Sequence, residues 1–416
     1  MRRYGAVLRG NPEYAKLWLA QVVSLTGDWF GTVVLSTLVA ALSDGSGLAL
    51  SLFFLSRFVP PLLLSAHVGV ITDRYNRKHV LVVSNLSRAL IIPLFLLVNT
   101  PDLLWLVYVV SIAQAVMSAL FEPAQSAILP SLLRDEDLIY GNTLLNVTWS
   151  AMLAIGAAAG GLFTASFGPT AALTVNALTF LLAGVLTAWI VYDPMRRRSA
   201  TDKPKEQTTF ADGLRFLRHH PSLIWTLLVK GATSLGNVDT LLAVMATQVF
   251  ILGNRGELSL SILYAVFGVG AFFGPLIINR WNNGSVARMR WFVLAGFLLA
   301  FLSWWLMGAA GSLAFLALAV LIRGVGGSIN WTFSSVMVQR QTPDAYLGRM
   351  FSIDYAFFYA ATILSTLAHG ALVDMLGIEG LQTILFGTAL VAGMPLLVWS
   401  VQMPRLNRLK VVGAGD

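Results

Sequence analysis

The sequence predicts an all-α integral membrane protein in which twelve transmembrane helices form two pseudo-symmetric six-helix bundles. Three observations support this fold class: an apolar composition, twelve long apolar runs, and an internal repeat relating the two halves. Of 416 residues, 56% are hydrophobic and only 12% are charged, and the mean hydropathy is +0.73. Typical soluble domains carry about 25% charged residues, so this composition cannot supply a surface that faces water.

The apolar runs set the predicted spans. About 20 apolar residues cross a bilayer as a helix, and runs this long without alternation exclude barrel strands. The first run continues without a small-residue cleavage site, so it is predicted as a retained helix rather than a signal peptide. The predicted spans are 17–42, 47–70, 79–99, 103–129, 138–166, 170–192, 222–251, 258–279, 290–309, 312–338, 347–374 and 380–402.

Lysine and arginine are distributed unevenly among the loops. If the N-terminus is cytoplasmic, the outer loops contain a single cation, Arg255, while the cytoplasmic segments contain nearly all the others. This bias predicts that both termini face the cytoplasm.

The predicted domains are a first bundle, a linker, a second bundle and a tail. The linker is basic and contains proline, and its second part, Phe210 to Leu217, is predicted as a short amphipathic helix at the membrane surface. The alternative is a plain basic loop that only sets orientation. The predicted boundaries are 1–193, 194–220, 221–403 and 404–416.

The two halves align at an offset of about 207 to 209 residues, a spacing that lets each half hold one six-helix repeat. Gly27 falls on Gly236, and Gln114 falls on Arg323. Two parallel six-helix repeats are typical of secondary transporters, which bind substrate near the midplane between the halves.

The loop after the second span reads GVITDRYNRK, residues 69–78. Its pattern, Gly69-x-x-x-Asp73-Arg74-x-x-Arg77-Lys78, resembles the signature loop of the major facilitator superfamily, and the twelve spans and the repeat agree with that resemblance. The stretches LWLAQVVSLTGDWF, FEPAQSAILPSLL, DGLRFLRHHP and VQRQTPDAYLGRM are similar to the branch that contains macrolide-efflux proteins and the enterobactin exporter.

The resemblance implies a conformational latch. Gly69 would permit close approach of a neighbouring helix, and Asp73 would accept hydrogen bonds from the start of the eleventh span, favoured by the helix dipole. The cations would pair with carboxylates or lipid phosphates. The alternative is an orientation signal only. Asn76 stands where the family usually has glycine, and asparagine tolerates left-handed backbone. The predicted latch residues are Gly69, Asp73, Arg74, Arg77, Lys78 and Arg349.

Ionisable residues inside spans are functional candidates. Asp28, Arg88 and Glu122 come out roughly 13–16 Å deep at the helical rise. The resemblance implies that spans one, four, seven and ten line a cavity, so Asp28 and Glu122 are predicted to carry the coupling proton. The alternative is a structural Arg88–Glu122 pair. Arg57 has no predicted partner.

The second half is predicted to hold two buried salt bridges with a structural or gating role. Asp239 and Arg323 come out roughly 25 Å deep, and Lys230 and Asp354 about 10–12 Å. Gln114 stands where many relatives carry a fourth-span arginine. Aromatic faces suit bulky apolar or cationic ligands, although lipid or core packing would also explain them. The aromatic cavity candidates are Trp29, Phe121, Trp331 and Tyr355.

The fifth span, MLAIGAAAGG, partly resembles a glycine pattern of antiporters in this superfamily. Gly156, Gly160 and Gly161 fit the pattern, but Met152 and Ala157 stand in place of its first glycine and its proline. These two departures weaken the indication of antiport, and close helix packing at small residues would also explain the glycines.

Several chemistries are excluded. The dipeptide Gly-Lys does not occur, so the chain has no phosphate-binding loop for ATP, and cysteine is absent. No enzyme activity, cofactor, metal or nucleic-acid partner is predicted. The prediction is a monomeric, proton-coupled exporter of amphiphilic small molecules or drugs in a bacterial inner membrane, in contact with lipids. The alternatives are a carrier of a siderophore, lysophospholipid or sugar conjugate, or a channel or membrane scaffold.

Overall fold

The computed structural model describes residues 2–192 and 210–408, and for a few of these, including residues 65–74 and 210–214, only the backbone. The described chain is helical and contains no strand. The first helices are α1 (Arg2–Gly10), α2 (Pro12–Leu42), α3 (Gly47–Arg74), α4 (Arg77–Ile91), α5 (Leu104–Leu132), α6 (Leu138–Ala188) and α7 (Phe210–His219). The others are α8 (Pro221–Ser234), α9 (Asp239–Val244), α10 (Glu257–Ile278), α11 (Val286–Gly308), α12 (Leu313–Gln341), α13 (Asp344–Leu376) and α14 (Leu381–Arg408).

Ten helical segments in the described chain are long and apolar enough to cross a membrane, judged by length and composition. One of them, α6, contains the fifth and sixth predicted spans. The seventh span is not among the ten because its helix is interrupted between α8 and α9. These two features reconcile the ten segments with the twelve predicted spans, and the predicted fold class is confirmed.

The two spans within α6 form a hairpin. Gly168 has φ 84° and ψ 168°, a conformation that is open almost only to glycine. One end of α2 contacts both ends of α6, because Tyr14 donates to the Gly141 carbonyl at 2.8 Å and Lys16 to the Trp189 carbonyl at 3.0 Å. The two halves of α6 therefore run in opposite directions along α2.

Glycines in the fifth span bring α6 close to α2. A Cβ at Gly160 would lie 3.0 Å from the Phe30 Cα, and a Cβ at Gly156 would lie 3.3 Å from the Trp29 Cβ. Both positions require a small residue so that the two helices can pack closely. This agrees with the alternative given above, in which these glycines serve helix packing.

The seventh span is broken at residues 235–238, which are not helical. The chain resumes as α9 and ends in a π-helical turn, Met245–Val249. Such breaks are tolerated within membrane proteins when protein groups satisfy the freed backbone. The sequence does not predict this break.

The chain divides into two compact units, Met1–Asp202 with Leu242–Ala265, and Lys203–Leu241 with Val266–Asp416. The sequence assigns Leu242–Ala265 to the second bundle, but these residues group with the first unit. The Gln248 side chain donates to the Gly45 carbonyl, and the Tyr264 ring lies 5.4 Å from that of Trp29. These contacts hold the segment within the first unit.

Each unit has its own apolar core. In the first unit, Tyr14, Leu81 and Ile128 belong to one buried cluster. In the second, Phe297 and Trp399 belong to another. In a bilayer, such clusters stabilise each unit through van der Waals packing between helices rather than through the exclusion of water.

Two loop predictions meet different outcomes. The predicted short helix from Phe210 is present and extends to His219, whereas linker residues 194–209 and tail residues 409–416 lie outside the described chain. The interpretation of Asn76 is wrong: its φ is −61°, and its side chain caps α4 by accepting from the Lys78 amide at 3.0 Å. Capping, rather than left-handed backbone, explains asparagine at this position.

Candidate functional site

The first unit brings two predicted site residues together in its interior. Arg88 Nη1 lies 3.7 Å from Asp28 Oδ2, and the Arg88 side chain is buried whereas that of Asp28 is partly exposed. Arg88 also donates to Asn85 Oδ1 at 2.8 Å. Its guanidinium lies over two aromatic rings, 5.2 Å from the centroid of Phe121 and 4.4 Å from that of Phe180. The cation is therefore fixed by packing, while the acid stays accessible.

The structural pair expected between Arg88 and Glu122 is not the pair that forms, because the ion pair of Arg88 is with Asp28. Glu122 is exposed on α5 and interacts electrostatically with both Asp28 and Arg88. Phe121 is buried and packs on Arg88, so it does not line an open surface as the sequence predicts. Residue depth alone could not show whether Arg88 pairs with Asp28 or with Glu122, since the two acids come out equally deep.

Arg57, for which the sequence offers no partner, is anchored beside Asp28. Its Nη1 donates to Thr32 Oγ1 at 2.6 Å, and that hydroxyl donates to the Asp28 carbonyl at 2.7 Å. Arg57 also attracts the Asp28 carboxylate electrostatically. The sequence missed this partner because Thr32 carries no charge, although it stands one helical turn after Asp28.

A second polar contact in the first unit was not predicted. Gln125 Nε2 donates to Gln21 Oε1 at 3.1 Å, and both side chains are buried. Gln125 stands one turn after Glu122 on α5, and Gln21 two turns before Asp28 on α2. The amide pair therefore joins the two helices that carry the candidate proton acceptors.

Trp29 follows Asp28 and is half-buried. Its ring lies 5.4 Å from that of Tyr264 and 6.4 Å from that of Trp149. Contacts with other aromatic rings of the first unit therefore account for much of the burial of the Trp29 side chain. Gln114 is half-buried on α5.

In the second unit, Lys230 Nζ lies 2.5 Å from Asp354 Oδ2, with both side chains buried. Three rings surround the ammonium, at 4.6 Å for Trp331, 4.8 Å for Tyr355 and 5.5 Å for Phe351. Two predicted aromatic candidates thus belong to the same cluster as the predicted ion pair.

Arg323 binds backbone carbonyls at the break in the seventh span. Its Nη2 donates to the carbonyls of Thr233 and Gly236 at 2.9 and 3.0 Å, two groups near the interruption of the helix. Asp239 interacts with Arg323 electrostatically. The predicted attraction between Asp239 and Arg323 is present. The hydrogen bonds of Arg323, however, go to backbone carbonyls, which are free to accept them because the helix is interrupted. The sequence did not reveal the interruption, so it could not predict these hydrogen bonds.

Other polar side chains hold the same break from α13. Ser365 Oγ accepts from the Asn237 amide at 3.1 Å and donates to the Leu235 carbonyl at 2.8 Å. Asn237 Nδ2 donates to Thr366 Oγ1 at 3.1 Å. The interruption is therefore satisfied by protein groups and is a built feature of the fold.

The predicted latch is described only in part. Arg77 donates to the Ala127 carbonyl at 2.8 Å. Lys78 interacts electrostatically with Glu13, and the Arg349 guanidinium lies 5.9 Å from the Tyr346 ring. The side chains of Asp73 and Arg74, and the surroundings of Gly69, lie outside the described residues, so their latch role stays a prediction.

The family model described as Major Facilitator Superfamily matches residues 17–292. The chain belongs to the major facilitator superfamily. Among its relatives, the MFS-type transporter YfiS of Bacillus subtilis is 27% identical over 90% of this chain and 89% of that protein. Macrolide efflux protein A of Streptococcus pyogenes is 22% identical over 88% of this chain and 91% of that protein.

Solved structures of transporters share the fold of this chain. The crystal structure of an auto-inhibited peptide transporter of the POT family matches with a TM-score of 0.75, covering 97% of this chain and 98% of that one at 12% identity. At this identity the likeness shows the fold alone. The family match identifies the chain as a membrane transport protein.

Proposed function

We propose that this major facilitator chain is a proton-coupled exporter of amphiphilic small molecules that works by alternating access. The observation that carries the proposal is Asp28: a partly exposed carboxylate inside a span, 3.7 Å from a buried arginine. At that separation the carboxylate has electrostatic support without a close hydrogen bond from Arg88. Such a group can bind and release a proton as its access to water changes.

The direction of transport rests on the relatives. Macrolide efflux protein A is named for efflux, and its alignment extends over most of this chain. We therefore infer export from a bacterial inner membrane, with both termini in the cytoplasm. Tags at residue 205 and at the C-terminus should be cytoplasmic and a tag near Arg255 external; opposite sidedness of the first two would contradict this topology.

Reconstituted protein tests the coupling. In proteoliposomes with an imposed pH gradient, a labelled amphiphile should accumulate, and a protonophore should abolish the accumulation. A macrolide is the first compound to test. Accumulation that persists with the protonophore would exclude proton coupling, and a panel of siderophores, lysophospholipids and sugar conjugates would then test the alternative cargoes.

A further inference from the structure

The Lys230 ammonium is enclosed by aromatic rings and one carboxylate. Its side chain is 1% exposed and that of Asp354 is 0% exposed. Trp331, Phe351 and Tyr355 lie within 5.5 Å of Nζ. We call these five residues the Lys230 cage. It joins α8, α12 and α13 within the second unit.

The polar groups of the cage are not fully satisfied. Lys230 makes its side-chain hydrogen bond with Asp354 Oδ2, while the buried Asp354 Oδ1 has no hydrogen-bond partner. An ammonium carries three donors and a carboxylate several acceptor sites. A buried pair with unused groups is a weak source of stability, so structural stabilisation alone does not explain why the membrane interior holds these charges.

Lys230 is the charged group that acts on the Asp354 carboxyl within the described chain. Cations on the neighbouring helices contact other groups: Arg323 donates to the Thr233 and Gly236 carbonyls, Arg340 to the Gly284 carbonyl, and Arg290 to the Leu406 carbonyl. Arg349 lies over the Tyr346 ring. Among the side chains that the structure describes, the remaining charged groups and histidines on α7, α11, α13 and α14 are Arg215, Arg218, His219, Arg288, His369, Asp374, Arg405 and Arg408.

Two of the cage rings are partly exposed. Trp331 is 38% exposed and Tyr355 is 39% exposed, and their rings meet edge to face, with centroids 5.9 Å apart. An ammonium attracts the negative face of an aromatic ring. Lys230 already lies beside these rings, so it would repel a second cation, whereas an anionic group that replaced Asp354 would keep the attraction to the ammonium.

We propose that the Lys230 cage binds the carboxylate of an amphiphilic organic anion, with Asp354 occupying that position in the structure described here. The ligand carboxylate replaces Asp354 as the partner of Lys230, its apolar part packs on Trp331 and Tyr355, and the displaced Asp354 takes up a proton. The inference deepens the proposed transport function by naming a substrate class. A carboxylate held in the same chain competes with a free ligand as if present at millimolar or higher concentration, so anion affinity in the unmodified protein is low.

Matched ligands test the proposal. Wild-type protein and Asp354→Asn, in phosphatidylcholine nanodiscs, are titrated with 4-phenylbutyrate, 4-phenylbutylamine and 4-phenylbutanamide, and the melting temperature is followed. Asp354→Asn should bind phenylbutyrate at least about tenfold more tightly than the wild type does, because the internal competitor is gone. The amine and the amide should not distinguish the two proteins. Equal responses to all three ligands, or a preference for the amine, would overturn the proposal.

The control is Lys230→Met combined with Asp354→Asn, which removes the cation and should lose the preference for phenylbutyrate. If Asp354→Asn alone does not fold, the wild type compared with this double variant at higher ligand concentration gives the same test. Nanodiscs containing phosphatidylglycerol separate a free anion from a lipid phosphate: stabilisation by the lipid alone, with no added effect of phenylbutyrate, would refute the proposal. Because binding needs no gradient, Asp28→Asn should keep the anion response whether or not proton coupling is correct.

Discussion

Arg88 and Asp28 lie 3.7 Å apart but differ in exposure: the arginine side chain is 3% exposed and the aspartate 32%. The arginine is enclosed by two rings and Asn85, whereas the carboxylate remains accessible. This asymmetry separates the effects of substituting the two residues.

Asp28→Asn should abolish proton-driven accumulation while destabilising the protein less than Arg88→Met does, because Arg88 keeps its hydrogen bond to Asn85 and both of its ring contacts. Arg88→Met should lower stability by about 2 kcal/mol or more, through loss of two ring contacts and one charge-assisted hydrogen bond. Melting temperature and flux measured on the same purified proteins check both. An Asp28→Asn protein that still couples flux to the gradient would remove Asp28 from the mechanism.

Glu122→Gln should leave the melting temperature nearly unchanged, because Glu122 is exposed and Arg88 keeps its contacts with Asp28 and Asn85. Transport should fall partially, or its pH optimum should shift, since Glu122 interacts electrostatically with Asp28. A loss of stability of several kcal/mol would instead support the alternative hypothesis, in which Arg88 and Glu122 form a structural pair.

Arg323→Lys should cost about 2–3 kcal/mol, because a single ammonium replaces a planar fork that reaches two carbonyls and leaves buried acceptors unsatisfied. Amide hydrogen exchange at residues 235–239 should rise by at least about tenfold, which corresponds to 1.4 kcal/mol of local stability. Arg340→Lys is the control, since Arg340 bonds an exposed loop carbonyl at Gly284. Equal effects of the two substitutions would show that Arg323 does not hold the break.

Asp73→Asn keeps the size of the side chain and removes its charge. If Asp73 latches onto the start of the eleventh span through the helix dipole, expression should stay near normal, transport should fall, and the conformers should shift away from outward-open. Distances between spin labels on the outer parts of the two bundles measure the shift. An unchanged distance distribution with full activity would reduce GVITDRYNRK to an orientation signal.

Gly168→Ala should destabilise the protein by about 1–3 kcal/mol, because alanine is strained at φ 84°. Gly387→Ala, inside α14 with nothing within 4 Å of the added methyl group, should instead be neutral or stabilise by up to about 1 kcal/mol. Melting temperatures of the two variants make the comparison. Similar melting temperatures for both variants would show that the turn at residue 168 does not require glycine.

Composition and periodicity predicted the fold because a bilayer demands long apolar helices, and the turn near Gly168 falls between the fifth and sixth predicted spans. Helix length fixes depth but not the direction in which a side chain points. The sequence could therefore place Arg88, Asp28 and Glu122 at one level without choosing the right pair.

Neutral partners were also beyond sequence reasoning. Thr32 holds Arg57 through its hydroxyl, and backbone carbonyls at the broken seventh span bind Arg323. Neither partner carries a charge that would mark it in the sequence. By contrast, Lys230 and Asp354 were paired correctly, because both are charged and come out at one depth.

The turn at Gly168 has a consequence for how the protein is made. Between Leu138 and Trp189 the chain has no charged residue, so no cation marks where the fifth span ends and the sixth begins. Lysine and arginine normally orient each span during insertion. If this stretch entered the bilayer without reversing, every later loop would emerge on the opposite side. The topology of the second half thus depends on the turn at Gly168 and Pro169. If the fifth and sixth spans insert together as one hairpin, every span synthesised after them keeps its correct orientation.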